Sequence, residues 1–221
     1  MVDGRFARNI GTITGAEQAR LGRACAGVVG LGGIGSPAFE SLVRAGIGNF
    51  VIFDKDRFEK GNFNRQIYAN GETEGRPKAE VARGRALAIN PSAKVEACLA
   101  LDGRSVRKLK RCDIVVDGTD NLATRKLVAA FCGKNKIPYV FCSAGGSTGM
   151  CGVFCGADFS KVFGTAKEMR RKHVIAPAAI TAGALSAAQA IAVLLGKKFV
   201  EAPEFIFFDL FSERLLWRQR I

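Results

Sequence analysis

Histidine is nearly missing from this 221-residue chain: His173 is the single example. No two of the 7 cysteines stand at CxxC spacing, so the ordinary tetrahedral Cys/His zinc site has too few donors, and no zinc is expected. Proline is sparse, at 6 residues, and acids are outnumbered by bases 20 to 33, which excludes proline-rich linkers and acidic solvating tails. With only Tyr68 and Tyr139, no tyrosine and lysine pair at helical spacing marks a hydride-transfer site. An odd set of thiols spread from Cys25 to Cys155 fits a reduced compartment better than a paired secretory framework. The first nine residues carry Asp3, Arg5 and Arg8 and no apolar signal core, so a cytoplasmic location is expected.

What is present suffices for a large core: 48% of residues are hydrophobic and 24% charged, and 1–221 is read as one domain. Residues 174–195 carry no charge and meet the length test for a membrane span. Their alanine richness, and interruption by Pro177, Thr181, Gly183, Ser186 and Gln189, predict instead a helix buried in a soluble domain, starting near Ala176 and Pro177. Short apolar runs at 25–29, 50–53, 94–98, 113–116 and 138–142 alternate with helix-like segments. That order predicts an α/β fold, a Rossmann-like doubly wound and mainly parallel sheet, with an antiparallel C-terminal hairpin at 204–210 and 214–218. Ser36 is the expected N-cap of the first crossover helix, with Pro37 in its first turn and Gly46 at its end; the second runs over 78–89.

The chemistry begins where the first strand runs into Gly30, Leu31, Gly32, Gly33, Ile34 and Gly35 and then a helix. Glycines there let backbone amides approach a phosphate at a helix start. Asp54 closes the second strand, where a carboxylate accepts hydrogen bonds from a ribose diol. Asn62, Arg65, Gln66 and Lys78 follow; the two fixed cations among them, Arg65 and Lys78, are more than a dinucleotide diphosphate needs and suit a triphosphate that releases pyrophosphate. Asp117 and Asp120 lie past the 113–116 strand, at the carboxyl edge where such sheets bind ligands; a carboxylate there suits Mg²⁺, and the alternative is that Thr119 or Asp120 caps the next helix.

Arg5 and Arg8 in RFARN, GLGGIG at 30–35, Asp54, GNFNRQ at 61–66, RPK at 76–78 and GTDN at 118–121 together resemble the ThiF/MoeB/HesA adenylyltransferases, relatives of the adenylation domains of ubiquitin-activating enzymes. The resemblance implies ATP-dependent activation of the C-terminal carboxylate of a small ubiquitin-like or sulfur-carrier protein as an acyl adenylate. Under it Asp54 binds the ribose, Asn62, Arg65 and Lys78 contact phosphates, and Asp120 holds Mg²⁺. Arg8 is then an arginine finger delivered to the partner subunit, which implies a homodimer.

The chain departs from that pattern in having no cysteine in the crossover loop at 162–175, so adenylation without an internal thioester is expected, and Cys151 and Cys155 are read as packed thiols. Lys161, Lys167, Arg170, Arg171 and Lys172 make that crossover basic, which suits an acidic carrier, an RNA backbone or plain solvation. His173 is expected in a loop and not as a general base, because the carboxylate to be activated is already ionised. Three alternatives stand beside the carrier reading. One is a tRNA threonylcarbamoyl-adenosine dehydratase-like enzyme, which the net charge of +13 suits. The others are a NAD-dependent oxidoreductase on the same fingerprint, and a binding module that keeps nucleotide affinity without turnover.

Overall fold

The computed structural model describes residues 3–164 and 173–221. After a 3₁₀ turn at Gly4–Asn9 come α1 (Gly15–Arg23), β1 (Cys25–Val29), α2 (Gly35–Arg44), β2 (Asn49–Phe53), α3 (Lys78–Ile89) and β3 (Lys94–Cys98). Further 3₁₀ turns lie at Lys60–Asn62, between β2 and α3, and at Ser105–Arg111, which leads into β4 (Ile114–Asp117), α4 (Leu122–Asn135), β5 (Tyr139–Gly145) and β6 (Thr148–Phe154). The chain ends with α5 (Phe159–Phe163), α6 (Ala176–Leu195), β7 (Glu204–Asp209) and β8 (Leu216–Arg220).

The eight strands form one sheet in the order β3-β2-β1-β4-β5-β6-β7-β8. The first five strands in that order run parallel and the last three pairings are antiparallel. Because strand side chains alternate, each parallel strand feeds two cores. Ala26, Val28, Phe50, Ile52, Ile114 and Val116 join Phe39 and Leu42 of α2 and Ala182 and Ala190 of α6. Val29, Val51, Phe53 and Val115 join Leu109, Val128 of α4 and Phe159 of α5 on the opposite side. Phe39 and Phe50 meet edge to face with centroids 5.0 Å apart, and burying each ring contributes about 2–3 kcal/mol.

The apolar segment is the α6 helix, with Pro177 in its first turn and Gly196 in the left-handed conformation at its end (φ 68°). It is long and apolar enough to cross a membrane, yet half of its most apolar window is buried inside the protein. Gly183 lets it lie directly on the start of α2: a Cβ there would stand 2.5 Å from the Ile34 carbonyl oxygen and 2.6 Å from Pro37 Cγ.

Several local expectations differ from the structure. Helix α2 starts at Gly35 with no side-chain cap, and Ser36 sits inside its first turn, its hydroxyl donating to the Gly32 carbonyl at 2.6 Å. The fourth strand covers Ile114–Asp117, one residue later than expected, since the Asp113 amide bonds the Cys25 carbonyl just below the ladder. The last strand begins at Leu216, because Asp209 accepts from Phe211 N at 3.1 Å and Ser147 Oγ at 2.8 Å and lengthens the turn. Strand β6 and helix α1 went unread; α1 is held by a capping box in which Thr14 and Glu17 bond each other's amides.

Candidate functional site

The order of the sheet reverses between β1 and β4, and in open α/β sheets the crevice beyond the carboxyl ends at such a point takes the ligand. The Gly30–Gly35 segment leaves β1 here and Gly118–Asp120 leaves β4 beside it. Three glycines make the approach possible. Gly30 has φ +81°; a Cβ on Gly35 would stand 1.7 Å from the Gly30 carbonyl oxygen, and one on Gly118 would stand 2.5 Å from Gly35 Cα. Between them the amides of Gly32 and Gly33 donate to nothing among the described residues, next to the amino end of α2. Free amides aimed out of a helix start are a ready anion site, which explains why Ser36 does not cap them.

Asp54, at the end of β2, accepts from Leu31 N at 2.6 Å and Asp56 N at 2.8 Å, so the acid and the glycine loop are joined directly. Burial pushes its carboxyl up from the ordinary value, against the pull of those two amides and of Lys78. Lys78 opens α3 and is buried, with only 6% of its surface exposed. Its ammonium lies 3.5 Å from Asp56 Oδ2 and 5.9 Å from the Phe58 ring centre. A buried cation whose one counter-ion is solvent-exposed favours an anionic ligand.

Arg65 and Gln66 close the other side. A Cβ on Gly33 would stand 3.3 Å from Arg65 Cγ, and one on Gly32 would stand 3.7 Å from Gln66 Nε2. Arg65 is steered by its Nη1, which donates to the Gly61 carbonyl at 2.8 Å and to Asn64 Oδ1 at 2.7 Å. Gln66 is buried, and its Oε1 has no hydrogen-bond partner among the described residues. A buried orphan acceptor against a phosphate-type loop is what a site completed by a ligand leaves behind. Asn62 is half-buried; its Oδ1 accepts from Glu59 N at 3.2 Å, which fixes the turn carrying Arg65.

Asp120 is exposed at the carboxyl end of β4 and makes no hydrogen bond or ion pair among the described residues. Neither it nor Thr119 caps α4: Asn121 does, accepting from Thr124 N at 2.9 Å. Asp117 points away from the crevice, into a buried network that sequence reasoning missed. Its carboxylate accepts from the Tyr139 hydroxyl, from Thr119 N at 2.8 Å and from Thr119 Oγ1 at 2.7 Å. Arg125 Nε lies 3.8 Å from Asp117 and 3.0 Å from the Thr119 carbonyl oxygen, with its guanidinium 4.8 Å from the centre of the Phe141 ring.

Arg8 stands apart from this cluster. The 3₁₀ turn that carries it packs at the far end of α2, where Asn9 Nδ2 reaches Ala45 O at 3.4 Å and Arg5 Nη1 reaches Asn90 Oδ1 at 3.1 Å. Arg8 itself is exposed, and the ten-residue α2, about 15 Å long, separates that end from the glycine loop. The structure therefore brings together Gly30, Gly32, Gly33, Gly35, Asp54, Asn62, Arg65, Gln66 and Lys78, puts Asp120 two residues beyond Gly118 at the neighbouring strand end, and leaves Arg8 outside.

His173 is exposed, its carbonyl accepting from Gly146 N at 2.8 Å. Cys151 is a packed thiol, whereas Cys155 is exposed, because β6 has ended at Phe154 and left the sheet. Of the basic crossover, Lys161 lies exposed in α5; Lys167, Arg170, Arg171 and Lys172 fall outside the described residues.

A model of the ThiF family matches residues 6–220. The chain is 35% identical over 198 residues to the sulfur carrier protein adenylyltransferase of Thermus thermophilus, covering 81% of this chain and 72% of that protein. It is 37% identical over 134 residues to the tRNA threonylcarbamoyladenosine dehydratase of Haemophilus influenzae, covering 59% of this chain and 51% of that protein. Among solved structures, E. coli MccB superposes with a TM-score of 0.84 at 21% identity, over 100% of this chain and 70% of that one, a likeness of fold. With nearly its whole length matched, the chain belongs to the ThiF family.

Proposed function

We propose that the protein is an ATP-dependent adenylyltransferase that activates the C-terminal carboxylate of a small ubiquitin-like or sulfur-carrier protein as an acyl adenylate. The observation that carries this is the convergence of free glycine-loop amides, a buried and under-paired Lys78, the orphan Gln66 acceptor and the unengaged Asp120 at one crevice. Asp54 takes the ribose diol. The glycine amides, Asn62, Arg65 and Lys78 hold the phosphates, and the orphan Gln66 Oε1, an acceptor, is left for a hydroxyl or amino donor of the nucleotide. The carrier's carboxylate oxygen attacks the α-phosphorus, and the bond to the bridging oxygen breaks, so pyrophosphate leaves with the electron pair. Arg65 and Lys78 stabilise the charge that gathers on the leaving oxygens.

Among the described residues no three His, Cys, Asp or Glu cluster as a preformed metal cage. One free carboxylate beside a phosphate site fits Mg²⁺, which is ordinarily held by one or two carboxylates, water and substrate phosphates, so Asp120 is the residue that would hold it. When bound it supplies neutralisation of phosphate charge. Arg8 lies beyond reach of its own crevice, which supports delivery to the site of a second copy in a homodimer. No step needs a thiol from the crossover. The dehydratase reading shares the adenylation chemistry; its relative covers 59% of this chain against 81% for the carrier enzyme, which favours the carrier. Family membership likewise favours ATP over NAD. Activity in the cytoplasm follows from carriers and ATP being there.

Exchange of radiolabelled pyrophosphate into ATP tests the proposal. Exchange should need both Mg²⁺ and a small protein ending in glycine. Tight NAD binding with no ATP binding, or exchange driven by tRNA and not by a carrier, overturns it.

A further inference from the structure

At the other end of the sheet, beneath the amino ends of the strands, lies a cleft of about 540 Å³ lined by Cys25, Asn49, Lys94, Glu96 and Arg111 among others. Cys25 opens β1 and is half-buried, and its Sγ lies 3.7 Å from that of Cys112, which is buried. The two backbones are clamped together: Cys25 N donates to Asp113 Oδ2 at 2.8 Å, and Asp113 N donates to the Cys25 carbonyl at 2.8 Å. Gly27 lies beside the pair and makes room for Leu109, since a Cβ there would stand 2.6 Å from Leu109 Cδ2.

We infer that Cys25 and Cys112 are a redox-active dithiol, closed to a disulfide by exchange with a small carboxylate-bearing disulfide that enters the cleft at Cys25. Lys94, which makes no ion pair among the described residues, is the cleft's open cation for such a molecule's carboxylate, while Arg111 is already paired with Glu96 on the same wall. The roles of the two sulfurs are unequal. Cys25 lines the cleft while Cys112 is buried behind it, so Cys25 is the attacking sulfur; the bond from Cys112 lowers its thiol against the opposing effect of burial. The hydrogen bond to Cys25, then burial and the Cys25 charge, raise Cys112, a restraint that weakens once Cys25 is consumed.

The Cys25 thiolate attacks one sulfur of the small disulfide, whose S–S bond breaks, and one thiolate leaves with the electron pair. Cys112 then gives up its proton to solvent and attacks Cys25 Sγ, expelling the second thiolate. Two protein thiols are oxidised and one small disulfide is reduced to two thiols. A closure of about 1.7 Å brings the sulfurs to bonding distance. The other five cysteines each fall short: Cys98 and Cys132 are buried, Cys142 and Cys151 face each other across β5 and β6 but are wholly buried, and Cys155 is exposed without a second thiol bonded to it. The bridge encloses residues 25–112, hence the glycine loop, Asp54 and Lys78, while lying outside the adenylation crevice.

The full chain is incubated in oxidised glutathione, quenched with N-ethylmaleimide, digested and read by mass spectrometry. The wild type should yield a linked Cys25 and Cys112 peptide that dithiothreitol cleaves. Cys112→Ser should hold one glutathionyl group on Cys25, and Cys25→Ser should leave Cys112 free. A wild type that keeps glutathione on Cys25, or that is modified at Cys155 while Cys25 and Cys112 stay free, overturns the inference.

Discussion

Tyr139 donates its hydroxyl to Asp117, and both side chains are almost wholly buried, at 1% and 0% exposure. A carboxylate inside the protein needs its lone pairs filled, and Thr119 and Arg125 supply the rest. The same buried charge and desolvation push the neighbouring Cys132 thiol up to about 12. The pair fixes the turn from Gly118 to Asp120, so a residue remote from the crevice sets where Asp120 stands.

Tyr139→Phe should therefore cost about 1–3 kcal/mol of stability, the penalty for leaving a buried acceptor short of a partner. Urea unfolding checks this, and nucleotide affinity should fall with it. An unchanged midpoint would show that water replaces the hydroxyl.

Gly35→Ala and Gly118→Ala should each cost about 3 kcal/mol or more and remove ATP binding, because the added methyl meets backbone that has nowhere to go. Gly84→Ala, within α3 and with open space around it, should raise stability by about 0.5–1 kcal/mol. Parallel thermal melts and isothermal titration separate the two outcomes.

Asp120→Ala should cut pyrophosphate exchange by about 10²-fold or more while stability moves by less than about 0.5 kcal/mol, since the side chain is exposed and unpaired among the described residues. Exchange at the wild-type rate would mean that the metal sits elsewhere.

Asp54 has a carboxyl raised above its ordinary 3.8 by burial, so the native state holds that proton to higher pH than the unfolded chain. Between those two values the native state binds more protons, and this residue's contribution to stability declines as pH rises. Relative to Asp54→Asn, which does not titrate, the wild type should lose ground as pH climbs from the ordinary carboxyl value through the raised one, measured as the difference in urea midpoints. A constant difference would contradict the burial effect.

Arg8→Ala and Asp120→Ala, each inactive alone, should complement when mixed. If sites are shared, random re-pairing restores both groups to about a quarter of the crevices. No recovery after subunit exchange argues against delivery in trans.

Much of this was legible in the chain because it rests on local patterns. The glycine loop between a strand and a helix, Asp54 at a strand end and Lys78 after Pro77 are each placed by neighbours in sequence. Strand β6 was not legible, since its Gly149 and Gly152 weaken the strand pattern and leave room for Phe208 and Phe205 of the distant β7. The Asp117, Tyr139 and Arg125 network needed β4, β5 and α4 together, so no spacing announces it. Asp56 had a visible sign, standing two residues after Asp54, but its service to Lys78 appears only in three dimensions.

The contact of Gly30, Gly35 and Gly118 locks the ends of β1 and β4 to the head of α2 through backbone alone. The cradle is thus rigid before anything occupies it, and a nucleotide meets its donors already in position. Little ordering entropy is lost on entry, so binding should newly protect the free amides of Gly32 and Gly33 while leaving the exchange of amides already bonded in the cradle, those of Gly30, Leu31 and Gly118, almost unchanged.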